Sequence, residues 1–364
     1  MVSMVSINST NLTLDDQVIV APLDRVEGKV QLAVYVLTFL VGLLGNALVL
    51  IVVYGKHSRR TVNDLYIMNL AVADLIFIAF LPLYSFNLFQ RVIMYTPVCK
   101  FVLPVMTMTY FVSIYTLTCM AIHRCIVILN PFKPEMSHRK VYLCILVIWF
   151  ISLVFVLPMS VVSIADATGQ CIESWPSQKH KQAYTASLCM LQYIFPLSVI
   201  TVAYIRICFD LNHERAPKHE RHAQHHQFHR ENLQIIKTLA TIVILFAVCL
   251  LPGQVLWMLL DFGSKDEKSL QMLFSMSIIL SAVHSCLNPI VYGTLTKQFR
   301  REYMRYLSYI CGCCECSEGW RRPRLASVWM SISSEHHENN NKGKHVEWET
   351  KANGTTILDR ESVV

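Results

Sequence analysis

The chain has 364 residues, of which 54% are hydrophobic and only 16% charged, with a mean hydropathy of +0.41. Soluble chains carry about 25% charged residues, so the composition excludes an ordinary soluble domain and points to a membrane protein. The net charge of +7 carries information through where Lys and Arg fall rather than as a sign of nucleic acid, and no nucleic-acid partner is expected.

Residues 1–29 form a polar tail without a basic start and a long apolar run, so no cleavable signal peptide is expected. Asn8 and Asn11 open two N-glycosylation sequons, usable only outside the cell. Seven apolar stretches follow, at residues 30–54, 62–89, 96–129, 141–162, 183–209, 233–260 and 270–295, each long enough to span a hydrocarbon core of roughly 30 Å. The pattern predicts an all-α membrane protein: a seven-transmembrane helix bundle over 30–295, an amphipathic eighth helix over 296–310, and a polar tail over 311–364 that reads as disordered. Lys56, Arg59 and Arg60 follow the first stretch, Lys133, Arg139 and Lys140 the third, and Arg215, Lys218, Arg221 and Arg230 the fifth. Basic connections mark the cytoplasmic side, so the amino terminus is expected outside and the carboxyl tail inside.

The third stretch organises the rest. As one helix it separates Cys99 from Arg124 by about 37 Å, one near each membrane face. Met106, Tyr110, Ser113, Leu117, Met120 and Arg124 recur at steps of four and three, a polar stripe that must face other helices or water. Pro82, Pro104, Pro158, Pro196, Pro252 and Pro289 are expected inside the helices, as hinges or as bends that help packing. Asn46, Asp74, Ser113, His284 and Asn288 lie near mid-depth on four helices. A carboxylate there needs a cation, a proton or donors, so the cluster is either a small cation site, most simply sodium held by Asp74, Ser113 and Asn288, or a satisfied packing network.

Most of the 13 cysteines fall inside apolar stretches and read as small hydrophobes. Cys99 and Cys171 lie on the outer side, where a disulfide between them would tie the loop after the fourth span over the bundle mouth. Cys311, Cys313, Cys314 and Cys316 follow a basic amphipathic stretch, which reads as palmitoylation at the inner leaflet, in contact with membrane lipid. The terminal Ser362-Val363-Val364 fits the groove of a PDZ domain.

Across residues 30–310 the chain resembles a rhodopsin-like G-protein-coupled receptor, with one signature in each helix. These are Gly45-Asn46, Leu70-Ala71-Val72-Ala73-Asp74, Cys99 with Arg124, Trp149, Pro196 with Tyr204, Phe246 with Cys249 and Pro252, and Asn288-Pro289-Ile290-Val291-Tyr292. The resemblance implies a plasma-membrane receptor, not an enzyme, that binds a ligand outside and acts inside on a heterotrimeric G protein and arrestin. His123, Arg124, Tyr204 and Tyr292 look like the G-protein activation residues. Three positions depart from the pattern. His123-Arg124-Cys125 replaces Asp-Arg-Tyr, so basal signalling is expected to be raised unless other inner contacts restrain Arg124. Leu250 stands in place of the usual tryptophan, and His284 in place of a frequent asparagine.

Met106 stands where amine receptors carry aspartate, and Ala282 where opsins carry lysine, so neither ligand class is expected. The outer loop Cys171-Ile172-Glu173-Ser174-Trp175-Pro176 and the run Leu191-Gln192-Tyr193-Ile194-Phe195-Pro196 are similar to peptide-receptor branches, including receptors for RFamide-like, neuropeptide-Y-like and tachykinin-like peptides. That likeness implies a neuropeptide ligand; a lipid or other small non-amine ligand is the alternative within the fold, and a seven-helix transporter the alternative outside it. The implied pocket is Tyr84, Met106, Thr107, Tyr110, Glu173, Gln192, Gln254, Trp257, Phe274 and Ile278, each either a contact or packing. A hairpin around Cys171 would leave the mouth open, with Glu173 set to meet a basic or amidated peptide end.

Overall fold

The computed structural model describes residues 26–56, 59–89, 93–130, 134–167, 169–213, 222–263 and 267–311. The chain divides into residues 1–307 and residues 308–364, and all seven spans lie in the first unit. In order the elements are α1 (Val26–Gly55), α2 (Val62–Ile78), α3 (Leu81–Phe89), α4 (Thr96–Leu129), α5 (His138–Val162), strands β1 (Ser163–Ala165) and β2 (Cys171–Glu173), and α6 (Gln178–Cys189). A π-helical turn, Met190–Ile194, leads into α7 (Phe195–His213), followed by α8 (His222–Phe262), α9 (Glu267–Leu295) and α10 (Lys297–Cys311). Among the described residues seven segments are long and apolar enough to cross a membrane, with mean hydropathies from 1.5 to 2.7. The second span is α2 continued into α3, and the fifth is α6 continued through the π-helical turn into α7. The exterior is apolar: Leu37, Leu44, Leu146 and Phe150 are each more than 60% exposed, an arrangement suited to lipid and not to water.

One of the six prolines expected inside helices instead begins one, and another follows a π-helical turn within a continuous span. The second span breaks at Ala79 and Phe80, and Pro82 is the second residue of α3, where its missing N–H would have had no helical partner anyway. Pro196 is the second residue of α7, directly after the π-helical turn. The wider turn removes the clash that a proline ring makes with the carbonyl four residues earlier. Pro104, Pro158, Pro252 and Pro289 do lie inside continuous helices.

The bundle is built around α4, which packs on α2, α5, α7 and α8. Its Ile114, Leu117, Met120 and Ala121 enter one core with Leu70, Leu239, Phe246 and Tyr292. Polar ties fix the register of the helices. Asn69 of α2 donates to Thr116 Oγ1 of α4 at 2.7 Å and accepts from Trp149 Nε1 of α5 at 2.9 Å. Asn46 of α1 donates to the Ser285 carbonyl of α9 at 3.0 Å. Beside it, α1 approaches α9 so closely that a Cβ on Gly45 would lie 2.7 Å from Pro289 Cγ. At the start of α2, Thr61 and Asp64 form a reciprocal cap, with Thr61 N–H on Asp64 Oδ2 at 2.9 Å and Asp64 N–H on Thr61 Oγ1 at 3.2 Å. That cap satisfies two amides that would otherwise lack partners.

Candidate functional site

At the Cys99 end, β1 and β2 form an antiparallel hairpin with Ser163 opposite Glu173 and Ala165 opposite Cys171. Its turn uses Gly169 at φ +74°, a conformation that favours glycine. The Gly169 carbonyl takes the Met94 N–H at 2.8 Å. A disulfide joins Cys99 to Cys171, with Cα atoms 5.4 Å apart, so the hairpin is tied to the start of α4. Next to it lies a narrow cleft of about 20 Å³ lined by Met159, Glu173, Tyr184, Thr185, Leu188, Cys189, Gln254 and Trp257.

Glu173, Gln254 and Trp257 therefore line one cleft. Gln192 is fully buried, presented by the π-helical turn; it donates to the Thr107 carbonyl at 3.3 Å and accepts from Gln254 Nε2 at 3.3 Å. Thr107, Gln192 and Gln254 thus form a chain linking α4, the fifth span and α8. Met106, Thr107 and Tyr110 are packed in the bundle core, at 2%, 0% and 6% exposure, and Tyr110 stacks at a tilt on Phe77, 5.3 Å between ring centroids. Ile278 packs against the same core, while Phe274 is half-buried on α9. Tyr84 falls on α3, with its side chain outside the described residues. Glu173 accepts Trp175 Nε1–H at 2.7 Å, so its carboxylate is oriented by the indole.

Several residues at this end were not picked out from sequence. Asp261, near the end of α8, pairs with Lys181 Nζ at 2.9 Å and accepts Thr185 Oγ1–H at 2.5 Å, and its carbonyl takes Gln182 Nε2 at 2.8 Å. Its side chain has no exposure. The one signal for it in sequence is an acid closing an otherwise apolar run, which a charge count assigns to the loop.

At mid-depth the expected cluster is partly assembled. Asn288 Nδ2 donates to Asp74 Oδ2 at 2.7 Å, and both are buried, as is Ser113 on α4. Asn46 points its amide nitrogen at the Gly42 and Ser285 carbonyls, leaving its buried Oδ1 without a hydrogen-bond partner. His284 is held by rings, with Phe246 edge-on at 4.9 Å and Tyr110 at 6.3 Å. Among the described residues no group of three or more His, Cys, Asp or Glu side chains could hold a metal ion, so any cation here would rest on one carboxylate and neutral oxygens.

At the opposite end Arg124 is 8% exposed, and its Nε has no partner. The groups facing it are Glu135, Asp64 and Tyr204. His123 Nε2 lies 3.7 Å from Glu135 Oε1. The acids near Arg124 therefore come from the segment after α4 and from the cap of α2, not from its chain neighbour. The hydroxyls of Tyr204 and Tyr292 are buried and unpartnered, and the Tyr292 ring stacks on Phe299 of α10 at 5.3 Å. Lys56 Nζ lies over the same Phe299 ring, 5.1 Å from its centroid, and also pairs with Asp64. Asn8, Asn11, Cys313, Cys314, Cys316 and Ser362-Val363-Val364 lie outside the described residues; Cys311 is the last residue of α10, with its side chain also outside them.

The chain matches the family model described as the 7 transmembrane receptor (rhodopsin family) over residues 45–292. It is 31% identical to the RYamide receptor of Drosophila melanogaster, over 79% of this chain and 66% of that one. It is 31% identical to neuropeptide FF receptor 1 of Rattus norvegicus, over 75% of this chain and 68% of that one. A QRFP-like peptide receptor of Branchiostoma floridae is also 31% identical, over 76% of this chain and 77% of its own length. The chain thus spans about two thirds of the length of the first two relatives and more of the third.

Proposed function

The chain belongs to the rhodopsin family of seven-transmembrane receptors, and from that premise we propose that it is a plasma-membrane receptor that binds an extracellular neuropeptide and activates heterotrimeric G proteins. The observation that carries the reading is the cleft beside the Cys99–Cys171 hairpin, whose polar wall of Glu173 and Gln254 is backed by buried Gln192, which links α8 to α4, the helix of Arg124. A narrow cleft with few convergent polar groups suits a peptide end, whose amide or cation can meet a carboxylate already oriented by an indole. The three relatives, named for RYamide, neuropeptide FF and a QRFP-like peptide, support the same ligand class.

In this reading the Cys99 end faces outside, in keeping with the basic connections after the first, third and fifth spans. Ligand contact at the Thr107–Gln192–Gln254 chain biases the packing of α4, α7 and α8. At the inner end the bias frees Arg124 from Glu135 and Asp64 and lets the unpartnered hydroxyls of Tyr204 and Tyr292 find new partners in an opened cavity. Arrestin and a PDZ-domain protein are the further inner partners of this reading. Asp74 is buried with a single neutral donor on it, a state that calls for a cation or a proton. The unpartnered Asn46 Oδ1 and the buried Ser113 hydroxyl are the chemistry that suits sodium, with Asn288 orienting the carboxylate.

Nucleotide exchange on purified G proteins, with the receptor in membranes, tests the reading before and after addition of a pooled amidated-peptide library. A peptide-dependent rise in exchange is expected. No rise with any peptide or G protein, from receptor that is folded at the cell surface, would overturn it.

A further inference from the structure

Away from the cleft and the Arg124 end, two thiols face each other across a helix seam. Cys119 of α4 and Cys144 of α5 bring their Sγ atoms to 3.5 Å, and the Tyr66 hydroxyl of α2 lies beside Cys144. Among the described residues seven cysteines are free, and this pair is in direct sulfur–sulfur contact. Both side chains are half-buried, so a small solute or a membrane-borne peroxide can reach them. The seam is otherwise fixed by Asn69, which bridges Thr116 of α4 to Trp149 of α5.

We propose that Cys119 and Cys144 form a modification site, a dithiol that a hydroperoxide closes to an inter-helix disulfide. One thiol takes an oxygen from the hydroperoxide, giving a sulfenic acid and releasing the alcohol or water. The other thiol then attacks that sulfur, forming the S–S bond and expelling water, so two thiols lose two electrons and two protons and the peroxide is reduced. A disulfide needs its sulfurs about 2.05 Å apart, so they close by roughly 1.5 Å, a movement that χ1 adjustment and a small shift of the half-buried seam supply. Cys119 lies five residues before Arg124, about 7.5 Å along the helix. The bond therefore fastens α4 to α5 within two turns of the arginine, and reduction by a small thiol releases it.

The site is independent of the ligand and of the G protein, so its test does not depend on the receptor reading. The full chain in lipid nanodiscs is treated with hydrogen peroxide, its remaining thiols are blocked with N-ethylmaleimide, and it is digested with trypsin without reduction. Arg124 and Arg139 separate the two cysteines into different peptides. The Cys144 peptide also carries Cys171, already bonded to the Cys99 peptide, so a bond between Cys119 and Cys144 appears as one three-peptide linked species lighter by two hydrogens than the Cys119 peptide and the Cys99–Cys171 pair together. The expected result is that linked species, its disappearance after dithiothreitol, and loss of maleimide at both positions. In Cys144→Ser the linked species is absent and Cys119 regains the label. Maleimide on both cysteines of the peroxide-treated wild type, or either cysteine linked elsewhere, would overturn the proposal. The wild-type comparison of oxidised and reduced samples decides even if the variant fails to fold.

Discussion

Lys181 Nζ lies 2.9 Å from Asp261 Oδ1, and the Asp261 side chain is fully shielded while that of Lys181 is 29% exposed. The pair joins α6 to α8 at the rim of the cleft, where Thr185 and Gln182 add bonds to the same aspartate. Removing the cation leaves a buried carboxylate with only neutral donors, and removing both charges does not. Lys181→Met is expected to lower thermal stability by about 2 kcal/mol, and Lys181→Met with Asp261→Asn to recover most of it. Equal losses from the single and double variants, measured by thermal unfolding in nanodiscs, would show that the charge pair is not what holds the rim.

Two glycines give opposite expectations for the same substitution. A Cβ at Gly45 meets Pro289 Cγ at 2.7 Å and Cβ at 2.9 Å, and a proline ring on a packed helix has no flexible end to move aside. Gly45→Ala should push α1 from α9, costing about 1–3 kcal/mol. A Cβ at Gly253 meets only Ser277 Cβ, at 3.7 Å, so Gly253→Ala should gain up to about 1 kcal/mol from helix propensity. The order of their melting temperatures relative to wild type checks both.

Much of this architecture is legible in the sequence because membrane helices announce themselves by length and apolarity. The third span runs from Thr96 to Leu129 as read, and Cys99 meets Cys171. What sequence could not place depends on packing between segments. Pro82 looks like a kink, yet it starts a new helix because the chain breaks two residues earlier. Met106 and Thr107 are implied as pocket lining by the likeness to peptide receptors, and both are buried in the bundle, a depth of cover that neither likeness nor periodicity gives. Asp261 carries no motif, and its burial follows from Lys181 and Thr185 on a helix that the hydropathy profile begins only at residue 183. Gln192 owes its inward position to a π-helical turn, whose extra residue shifts every side chain before Pro196 relative to an α-helical register.

At the inner end, Glu135 stands 3.7 Å from His123 and also faces Arg124. Glu135 is thus the acid best placed to restrain the arginine that an imidazole cannot. Glu135→Gln should raise ligand-free nucleotide exchange, and His123→Asp should lower it by setting a permanent carboxylate beside the guanidinium, whose Nε is unpartnered. Combining them should return exchange toward wild type. If neither single variant changes ligand-free exchange, the restraint lies with Asp64 and its cap rather than with Glu135.

The Asp74–Asn288 bond leads to the remaining prediction. Sodium on Asp74 would stabilise the packing of α2 against α9 that the 2.7 Å hydrogen bond already defines, and would oppose any rearrangement of Tyr292, one turn further along α9. Replacing sodium in the buffer with a bulky organic cation should therefore raise peptide affinity by roughly fivefold or more, a coupling of about 1 kcal/mol. In Asp74→Asn the carboxylate is gone and the two amides can still bond, so peptide affinity should no longer respond to sodium. Ser113→Ala should weaken the response without abolishing it, because it removes one neutral oxygen and leaves the charge. A sodium response that survives in Asp74→Asn would place the ion elsewhere and leave the mid-depth cluster as packing, with Asp74 protonated.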